Sequence, residues 1–472
     1  MADISQHIFR AYDIRGCEGE ELSPAFFVLL GRVYGTYLEL SGVKSAVVGH
    51  DNRATSDGYA KSAIEGLVSA GMRVIDLGTV LTPMMYWAQH HFKTKGGLMI
   101  TASHNPVGWN GAKLAKDLSE TIGGVELQEI YKKMQAGDYK ERAGGGVQQE
   151  DIKEIYINDL VSRVDIKKKF KIVVNTGNGT AGLFAPDFLH TIKQEITELN
   201  TEPDPTYPNY TPNPAETEMM ADTSKKVLEV DADFGLAFDG DGDRVGLVDE
   251  KGNVIWPDRY MIFLARGVLK DIPGAKIIYD VKSSDALSED IKAHGGMSIM
   301  AKTGHANIKA KLKETGAALA GEMSGHIFFK HGYYGFDDAP YAALKLIEFF
   351  AGQDKKVSEL MLDIPQYVSS PSLNAEVPDD KKFEVVKKLT EEFKKDGYKV
   401  DETDGARVSF DFSTSSGRVR GWGLVRVSNT SPAITLRFEG KTEQNMQKIR
   451  QIFEQKLSQF PEITMPSEWK AA

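Results

Sequence analysis

Short apolar runs alternate with amphipathic stretches over most of this chain, a pattern typical of an α/β protein. Several of these runs end in polar or glycine residues, as strands do at the edge of a sheet; they span residues 44–50, 72–78, 96–106, 171–177, 233–240 and 275–281. Residues 56–71 have the spacing of a helix that ends at a glycine. Because ligands collect beyond the carboxyl ends of parallel strands, we expect the functional residues there.

Three breaks in this pattern divide the chain. They are a glycine-rich segment at 142–149, a helix that begins near Pro257 and spans 257–270, and a polar segment at 369–382. After residue 370 the pattern changes to a lysine-rich helix, strands and a final helix, which indicates a smaller α+β domain. The predicted domains are residues 1–149, 150–256, 257–368 and 369–472. Within the second, the five prolines of 201–214 predict an extended loop.

Composition and charge limit the class of protein. At 472 residues the chain is too long for one core, and its formal charge of −10 argues against a nucleic-acid partner. No apolar run reaches the roughly 18 residues of a membrane helix, so no membrane association is expected. Cys17 is the single cysteine, which rules out an intrachain disulfide. With no secretory signal at the start, we expect a cytoplasmic protein, either monomer or homodimer.

The sequence FDGDGDRVGLV places three carboxylates on alternate positions, Asp239, Asp241 and Asp243. Two unit charges about 5 Å apart at an effective dielectric of about 20 repel by roughly 3 kcal/mol, so this spacing predicts a bound cation. A calcium EF-hand would place Glu250 at the twelfth position, but its sixth position, which requires glycine, is Arg244. Mg²⁺ is therefore favoured, with coordination positions left for water or a phosphate oxygen.

A second motif supports a different function. Gly177, Gly179 and Gly182 form a G-x-G-x-x-G after a predicted strand, and Glu198 follows at the end of the next apolar run. This pattern is typical of dinucleotide binding and favours a nicotinamide-dependent dehydrogenase as the alternative. The same glycines also suit any tight strand-to-helix connection, and the three aspartates would then have no role.

Two further loops carry polar side chains after predicted strands. TASHNP contains Ser103, a candidate nucleophile; its neighbour His104 is not assigned as its base, since adjacent side chains seldom face each other, and no G-x-S-x-G elbow is present. GEMSGH contains Glu322 and Ser324, which suit sugar hydroxyls, although Glu322 could instead be a fourth metal ligand.

The segment RVSNTSPA combines an arginine fork with hydroxyl and amide groups, a combination that suits phosphate but also occurs in polar hairpin turns. Its candidate residues are Arg426, Ser428, Asn429 and Thr430. Near the start of the chain, YDIRG adds Tyr12 and Arg15, which indicate no function alone.

Taken together, YDIRG, TASHNP, DGDGDR, GEMSGH and RVSNTSP follow one another over nearly the whole chain. This series resembles the α-D-phosphohexomutase superfamily, and most closely its phosphomannomutase/phosphoglucomutase group. The resemblance implies four domains around a central cleft, three related α/β domains and a smaller C-terminal α+β lid. It also implies interconversion of hexose 1-phosphates and 6-phosphates of mannose, glucose or both. Phosphoglucosamine mutase is the alternative within the superfamily.

The resemblance also assigns residues. Ser103 would carry the phosphoryl group and pass through a hexose 1,6-bisphosphate, while Asp239, Asp241 and Asp243 would hold Mg²⁺ with a phosphoserine oxygen. Glu322 and Ser324 would bind sugar hydroxyls. The substrate's unreactive phosphate would be bound by Arg426, Ser428, Asn429 and Thr430. Positions that match the cleft lining are Tyr12, Arg15, Lys113, Arg244, Lys282, His305 and His326.

Among these cleft residues, Lys282 and His326 are expected in proton transfer, and Arg15 and Arg244 are expected to add positive charge beside the metal. One segment departs from the family pattern: VGHDNRATS has His50 where an arginine is expected, although Arg53 keeps the second basic position. Because Glu322 and Ser324 must bind the sugar in both orientations of the bisphosphate intermediate, they are expected to contact the hydroxyls at O3 and O4. Such a site accepts either configuration at C2, where mannose and glucose differ.

Overall fold

The computed structural model describes residues 4–414, 417–428 and 431–465. Four β-sheets follow one another along the chain, and helices flank each of them. Over these described ranges, none of the helices combines the length and apolarity needed to cross a membrane.

The first domain is built on a seven-stranded sheet in the order β1-β5-β4-β2-β3-β7, with β6 paired to β5. Its strands are β1 Ile14–Cys17, β2 Ser45–His50, β3 Arg73–Thr79, β4 Gly96–Ile100, β5 Trp109–Lys116, β6 Glu120–Thr121 and β7 Gly146–Gln149. Its helices are the 3-10 turn Gln6–Ile8, α1 Pro24–Leu40, α2 Ser56–Ser69, α3 Thr82–His91 and α4 Gly124–Ala136. Strands β2, β3, β4 and β7 are parallel, and β5 runs antiparallel at the side of β4.

The second domain has a five-stranded sheet in the order β12-β11-β10-β8-β9. Its strands are β8 Lys171–Asn175, β9 Glu195–Leu199, β10 Phe234–Phe238, β11 Val245–Asp249 and β12 Val254–Ile255. Its helices are α5 Lys153–Val161, the 3-10 turn Thr180–Leu183, α6 Ala185–Thr191 and α7 Thr217–Val230. Residues 201–214 form neither helix nor strand, as predicted. Strands β10 and β11 make an antiparallel hairpin, so the loop between them is held at both ends.

The third domain has a four-stranded sheet in the order β14-β13-β15-β16. Its strands are β13 Lys276–Asp280, β14 Met297–Ala301, β15 Leu319–Gly321 and β16 Ile327–Phe329. Its helices are α8 Pro257–Asp271, α9 Asp285–Ala293, α10 His305–Thr315, α11 Ala339–Ala351, α12 Val357–Leu360 and the 3-10 turn Met361–Asp363. Here too, parallel strands lie beside an antiparallel edge, which is the arrangement shared by the first three sheets.

The fourth domain has a six-stranded, fully antiparallel sheet in the order β17-β22-β21-β20-β19, with β18 paired to β22. Its strands are β17 Val368–Ser369, β18 Leu373–Glu376, β19 Lys399–Asp401, β20 Ala406–Thr414, β21 Gly417–Val427 and β22 Ala433–Gly440. Its helices are α13 Lys382–Lys395 and α14 Glu443–Leu457. The structure therefore matches the predicted architecture of three mixed α/β domains and one α+β domain.

Three large apolar cores hold these domains, and one of them, around Phe27 and Tyr34, lies within the first domain. One continuous apolar cluster joins the first three domains and includes Trp87, Phe234 and Tyr341, which are all buried. The fourth domain has a core of its own around Phe393 and Phe453. Its attachment to the third domain is mostly polar; examples are hydrogen bonds from Arg407 to the carbonyls of Val281 (2.7 Å) and Ser283 (2.9 Å), and an ion pair of 3.2 Å between Arg437 and Asp258. A small apolar cluster of Val281, Trp422 and Leu424 adds to it.

Candidate active site

A cleft of about 490 Å³ lies where the four domains meet. Residues that line it include Ser103 and Lys113 from the first domain, Arg244 from the second, Lys282 and Glu322 from the third, and Arg426 and Ser428 from the fourth. The other predicted residues in its wall are Tyr12, Arg15, His305, Ser324 and His326. Asn429 and Thr430 lie outside the described residues. The structure thus brings together predicted residues from both ends of the chain.

The aspartate loop, residues 239–244, connects β10 to β11 immediately behind this cleft. Asp239, Asp241 and Asp243 are fully buried. Asp239 Oδ1 accepts hydrogen bonds from the backbone N–H groups of Asp243 and Arg244, both at 3.1 Å, so the loop curls around its first carboxylate. Gly240 permits a close approach to the first domain, because a Cβ there would lie 2.5 Å from the Ser103 carbonyl oxygen.

Ser103 faces this loop from the end of β4. Its hydroxyl donates to Asp239 Oδ2 at 2.8 Å, and it lies 3.1 Å from His104 Nδ1. Its amide donates to Thr101 Oγ1 at 2.8 Å, and its backbone φ is +49°, in the left-handed region. The hydroxyl and the first aspartate, which come from different sheets, therefore meet at hydrogen-bond distance.

Lys113 offsets part of the acidic charge. Its Nζ lies 2.7 Å from Asp241 Oδ2 and also contacts Asp243 Oδ2. Burial opposes the charge of the ammonium, yet these two carboxylates raise the pKa of Lys113 above its ordinary value. At Asp239 the balance differs, since burial and the carboxylates of Asp243 and Asp241 raise its pKa well above the usual range.

The oxygen donors of the aspartate loop fit a hard divalent cation. One carboxylate oxygen from each of the three aspartates lies within 4.8 Å of the others. Asp241 Oδ1 is buried and has no hydrogen-bond partner among the described residues, so a ligand atom is available there. An all-carboxylate set of this kind suits Mg²⁺.

The calcium EF-hand alternative is wrong. The flanking elements are strands β10 and β11 rather than helices. Glu250, the residue that would close the calcium loop, accepts hydrogen bonds from the backbone N–H of Ser358 (3.1 Å) and from its hydroxyl (2.5 Å). Its carboxylate is therefore bound to another segment.

Three histidines around the cleft have different electrostatic surroundings. Burial would lower the pKa of His326, but the Asp243 carboxylate, 3.2 Å from Nε2, and the Glu322 carboxylate, 3.1 Å from Nδ1, raise it to about 9. Burial and nearby cations instead lower the pKa values of His104 and His305 well below the usual range. At neutral pH His326 is therefore the charged ring, and the other two are neutral.

This arrangement predicts a pH-dependent stability. The pKa of His326 is raised from 6.5 to about 9, so its stabilising effect is complete below about pH 6.5 and is lost as the pH rises through about 9. In Mg²⁺-free buffer, the wild type should lose up to about 3 kcal/mol more unfolding free energy across this range than His326→Gln. Urea unfolding from pH 6 to pH 10 measures the difference. His190→Gln, at an exposed position, should behave like the wild type, whereas equal pH slopes for wild type and His326→Gln would contradict the prediction.

The third and fourth domains supply the remaining polar groups. Glu322 accepts a hydrogen bond from the Gly304 amide at 2.5 Å, and Ser324 Oγ lies 3.0 Å from His326 Nδ1. Arg426 donates from Nε to Asp404 at 2.8 Å, and within the part of the chain that the structure describes its Nη2 is buried without a hydrogen-bond partner. This arginine therefore retains a donor for a further anion.

Other predicted residues support the wall of the cleft. The ring of Tyr12 packs edge-on against that of His305 at 4.6 Å, and Lys282 Nζ lies 3.7 Å from Asp280. Arg15 lies 3.0 Å from Asp13 and also donates to the Thr101 carbonyl. His50 is buried at the end of β2, where its Nδ1 lies 2.8 Å from the Asp51 carbonyl; it is not among the described residues of the cleft wall.

Two threonines that were not predicted contact the Asp241 carboxylate of the aspartate loop. Thr82 and Thr101 donate to Asp241 Oδ2 at 2.6 and 3.2 Å. Thr101 directly follows β4, so its position could have indicated a role. Thr82 begins α3 and carries no motif, and only the packing of two domains brings it to the aspartate loop.

The glycine motif of the dehydrogenase alternative has a structural role instead. A Cβ on Gly179 would lie 2.9 Å from Gly240 Cα, and one on Gly182 would lie 1.8 Å from the Thr201 carbonyl oxygen. Protein backbone thus occupies the space that a dinucleotide would need beside these glycines. They allow this turn to pack against the aspartate loop, and the structure does not favour a nicotinamide site.

Comparisons with known proteins agree with this arrangement. Four domain models of the phosphoglucomutase/phosphomannomutase family match in order: alpha/beta/alpha domain I at residues 6–141, domain II at 154–252, domain III at 256–367, and the C-terminal domain at 373–456.

Similar whole proteins carry the same names. Phosphomannomutase/phosphoglucomutase from Pseudomonas putida is 39% identical, with 98% of each chain covered. Phosphoglucomutase from Neisseria meningitidis is 38% identical over 99% of this chain and 100% of its own. The crystal structure of a phosphoglucomutase/phosphomannomutase family protein from Burkholderia thailandensis superposes with a TM-score of 0.90 at 36% identity, covering 98% of this chain and 100% of that one. These matches confirm the resemblance seen in the motifs, and the chain belongs to the phosphoglucomutase/phosphomannomutase family.

Proposed function

We propose that this enzyme interconverts the 1-phosphates and 6-phosphates of mannose and glucose through a phosphorylated Ser103. The observation that carries the proposal is the 2.8 Å contact between the Ser103 hydroxyl and Asp239, in a cleft with walls from four domains. A hydroxyl beside a cation-binding carboxylate cluster is the arrangement that phosphoryl transfer requires.

The reaction has two transfers in opposite directions. Phosphoserine 103 gives its phosphoryl group to the free hydroxyl of the bound hexose phosphate, so a sugar O–P bond forms and the serine O–P bond breaks. The resulting hexose 1,6-bisphosphate turns over, and the other phosphoryl group returns to the serine. In the first transfer the attacking sugar hydroxyl loses a proton and the serine oxygen gains one. In the second the serine hydroxyl loses its proton and the other sugar oxygen gains one. We assign the proton exchange at the sugar oxygens to His326 and Lys282.

Charge stabilisation comes from groups around the serine. Asp239, Asp241 and Asp243, with Ser103, would hold Mg²⁺, which when bound would neutralise charge on the transferring phosphoryl group. Arg244, whose Nε lies 3.9 Å from both Asp239 and Asp243, adds a fixed positive charge on the cleft side. Such fixed charges stabilise a developing charge without reorganisation during the reaction.

Substrate recognition divides between two domains. We assign the hydroxyls at O3 and O4 to Glu322 and Ser324, and the unreactive phosphate to the fourth domain. The proposed phosphate-binding residues are Arg426, Ser428, Asn429 and Thr430. Because these groups serve either orientation and do not contact C2, mannose and glucose are both accepted.

We also propose domain limits at 1–149, 150–256, 257–368 and 369–472. Two observations support them: β7 ends at Gln149, and α8 begins at Pro257. The short strand β17, Val368–Ser369, spans the last limit and pairs within the fourth sheet.

The direct test is turnover of defined substrates. Mannose 1-phosphate and glucose 1-phosphate should each give the 6-phosphate when Mg²⁺ and a trace of the matching 1,6-bisphosphate are present. EDTA should stop both reactions. Glucosamine 1-phosphate distinguishes the alternative mutase, since turnover of that sugar alone would overturn the proposed specificity. Sugar oxidation that depends on a nicotinamide cofactor would overturn the mutase itself.

The proposed phosphate-binding residues of the fourth domain, called the phosphate clamp below, give a specific prediction. Arg426→Lys should raise the KM for the sugar phosphate about 10-fold or more with a smaller effect on kcat, because lysine keeps the charge but loses the fork that binds two phosphate oxygens. Steady-state kinetics measure this split. Arg418→Lys, at an exposed position of the same strand β21, should match the wild type. An unchanged KM for Arg426→Lys would remove Arg426 from the clamp.

A further inference from the structure

Arg53 binds the carbonyl groups of the loop that carries the serine. This loop, residues 103–109, is called the serine loop below. Nη1 of Arg53 donates to the carbonyls of Pro106 (2.9 Å) and Trp109 (3.0 Å), and Nη2 donates to those of Ser103 (2.9 Å) and Asn105 (2.5 Å). One side chain thus fixes four peptide groups of a single short loop.

The position of Arg53 is itself fixed. Its side chain is 3% exposed, Asp51 Oδ2 lies 3.4 Å from Nε, and the ring of Tyr207 lies 5.2 Å from its guanidinium carbon. Asp51 accepts hydrogen bonds from the amide of Ala102 (3.3 Å) and the hydroxyl of Ser56 (2.5 Å). The Asp51–Arg53 pair therefore holds the chain just before the serine as well as after it.

These contacts explain how Ser103 keeps an unfavourable backbone. A non-glycine residue in the left-handed region costs about 1–3 kcal/mol and persists only where its surroundings enforce it. The Ser103 carbonyl is bound on one side by Arg53, and on another it meets Gly240, where a Cβ would lie 2.5 Å away. With the carbonyl fixed in this way, the hydroxyl points to Asp239.

We propose that Arg53 is a positioning residue for phosphoryl transfer: it holds the serine loop so that the Ser103 oxygen stays aligned with the aspartate loop and the cleft. Arg53 is not among the described residues of the cleft wall, so it acts through Ser103 rather than on the sugar. A planar fork with five donors can satisfy four carbonyls at once, whereas the three donors of a lysine ammonium cannot. This inference rests on the proposed function of Ser103.

The test compares Arg53→Lys and Arg53→Ala with the wild type. We expect kcat to fall about 10-fold for lysine and about 100-fold for alanine, with KM within about 2-fold of wild type, since a displacement of about 1 Å costs this much in transfer rate. Guanidinium chloride at low millimolar concentration should restore part of the kcat of Arg53→Ala, a rescue that a loss of folding would not show. Arg32→Lys is the matched control, because this arginine bonds Ser69 and Tyr139 in the same domain away from the serine loop.

Intact-mass measurement after incubation with glucose 1,6-bisphosphate separates this inference from the proposed function. Absence of added phosphate on the wild type would remove the proposed function itself. If the wild type is phosphorylated, the positioning role would be overturned by an Arg53→Lys variant whose kcat equals that of the wild type. A variant in which only KM rises would overturn it as well. An Arg53 variant could also melt at a lower temperature than the wild type and yet keep the wild-type kcat when assayed below that temperature. This result would show a purely structural role and would also overturn the inference.

Discussion

Ser103→Ala will lower turnover of either hexose 1-phosphate by about 1,000-fold or more, because the variant lacks the oxygen that accepts and returns the phosphoryl group. The purified variant will also carry no phosphate after incubation with glucose 1,6-bisphosphate. Ser103 is small and 2% exposed, and its loss removes one donor from Asp239 Oδ2, while Asp239 Oδ1 keeps its two backbone N–H bonds. A coupled assay and intact mass measure the two effects.

Ser62→Ala provides the control for this substitution. Ser62 lies on α2 in the same domain, is half-buried, and donates to the Gly58 carbonyl of its own helix. It should retain wild-type activity and phosphate content. If Ser103→Ala turned over at the wild-type rate, or still gained one phosphate, the phosphorylated residue would have to be sought elsewhere.

Asp241→Asn should be nearly as damaging. We expect kcat/KM to fall about 100- to 1,000-fold, with half-maximal activity at a Mg²⁺ concentration about 10- to 100-fold higher. Asp241 provides a buried Oδ1 that has no hydrogen-bond partner in the described ranges, while its Oδ2 binds Lys113 and Thr82. The amide keeps the shape but removes the charge that both the cation and Lys113 require. Activity measured against MgCl₂ concentration gives both quantities.

Asp231→Asn is the matched control for the lost charge. Asp231 lies in the same domain, is exposed, and ends α7 with a left-handed backbone that asparagine also adopts readily. Its Mg²⁺ dependence should be that of the wild type. An unchanged Mg²⁺ dependence in Asp241→Asn would show that the cation binds elsewhere.

Local sequence patterns predicted the elements well where the pattern depends on near neighbours. The strand predicted at 171–177 is β8, Lys171–Asn175, and the helix predicted at 56–71 is α2, Ser56–Ser69. The segment 96–106 was predicted as a strand that runs into a loop, and β4 does end at Ile100. The local pattern did not indicate that Thr101 and Ser103 of this loop bond across to the aspartate loop. Contacts between distant segments decide those partners.

The candidate site shows the same limit. Alternating acids indicated a cation, and Asp239, Asp241 and Asp243 do converge. From the residues alone, nothing indicated that Lys113, in the middle of β5, would place its ammonium between two of them; its assignment came from the family resemblance. The sequence marks Arg53 only as a basic position, since hydrogen bonds to carbonyls 50 and 53 residues away leave no trace in local sequence.

The separate core of the fourth domain has a consequence for how the protein denatures. Detaching that domain from Val281 and Asp258 breaks mainly polar contacts and leaves the large apolar cores of the other domains and of the fourth domain covered. We therefore expect the fourth domain to unfold as a cooperative unit separate from the rest of the chain, so heating can melt one before the other. A sugar phosphate held between them would couple the two transitions, so their separation in a calorimetric scan would report how fully the cleft is occupied.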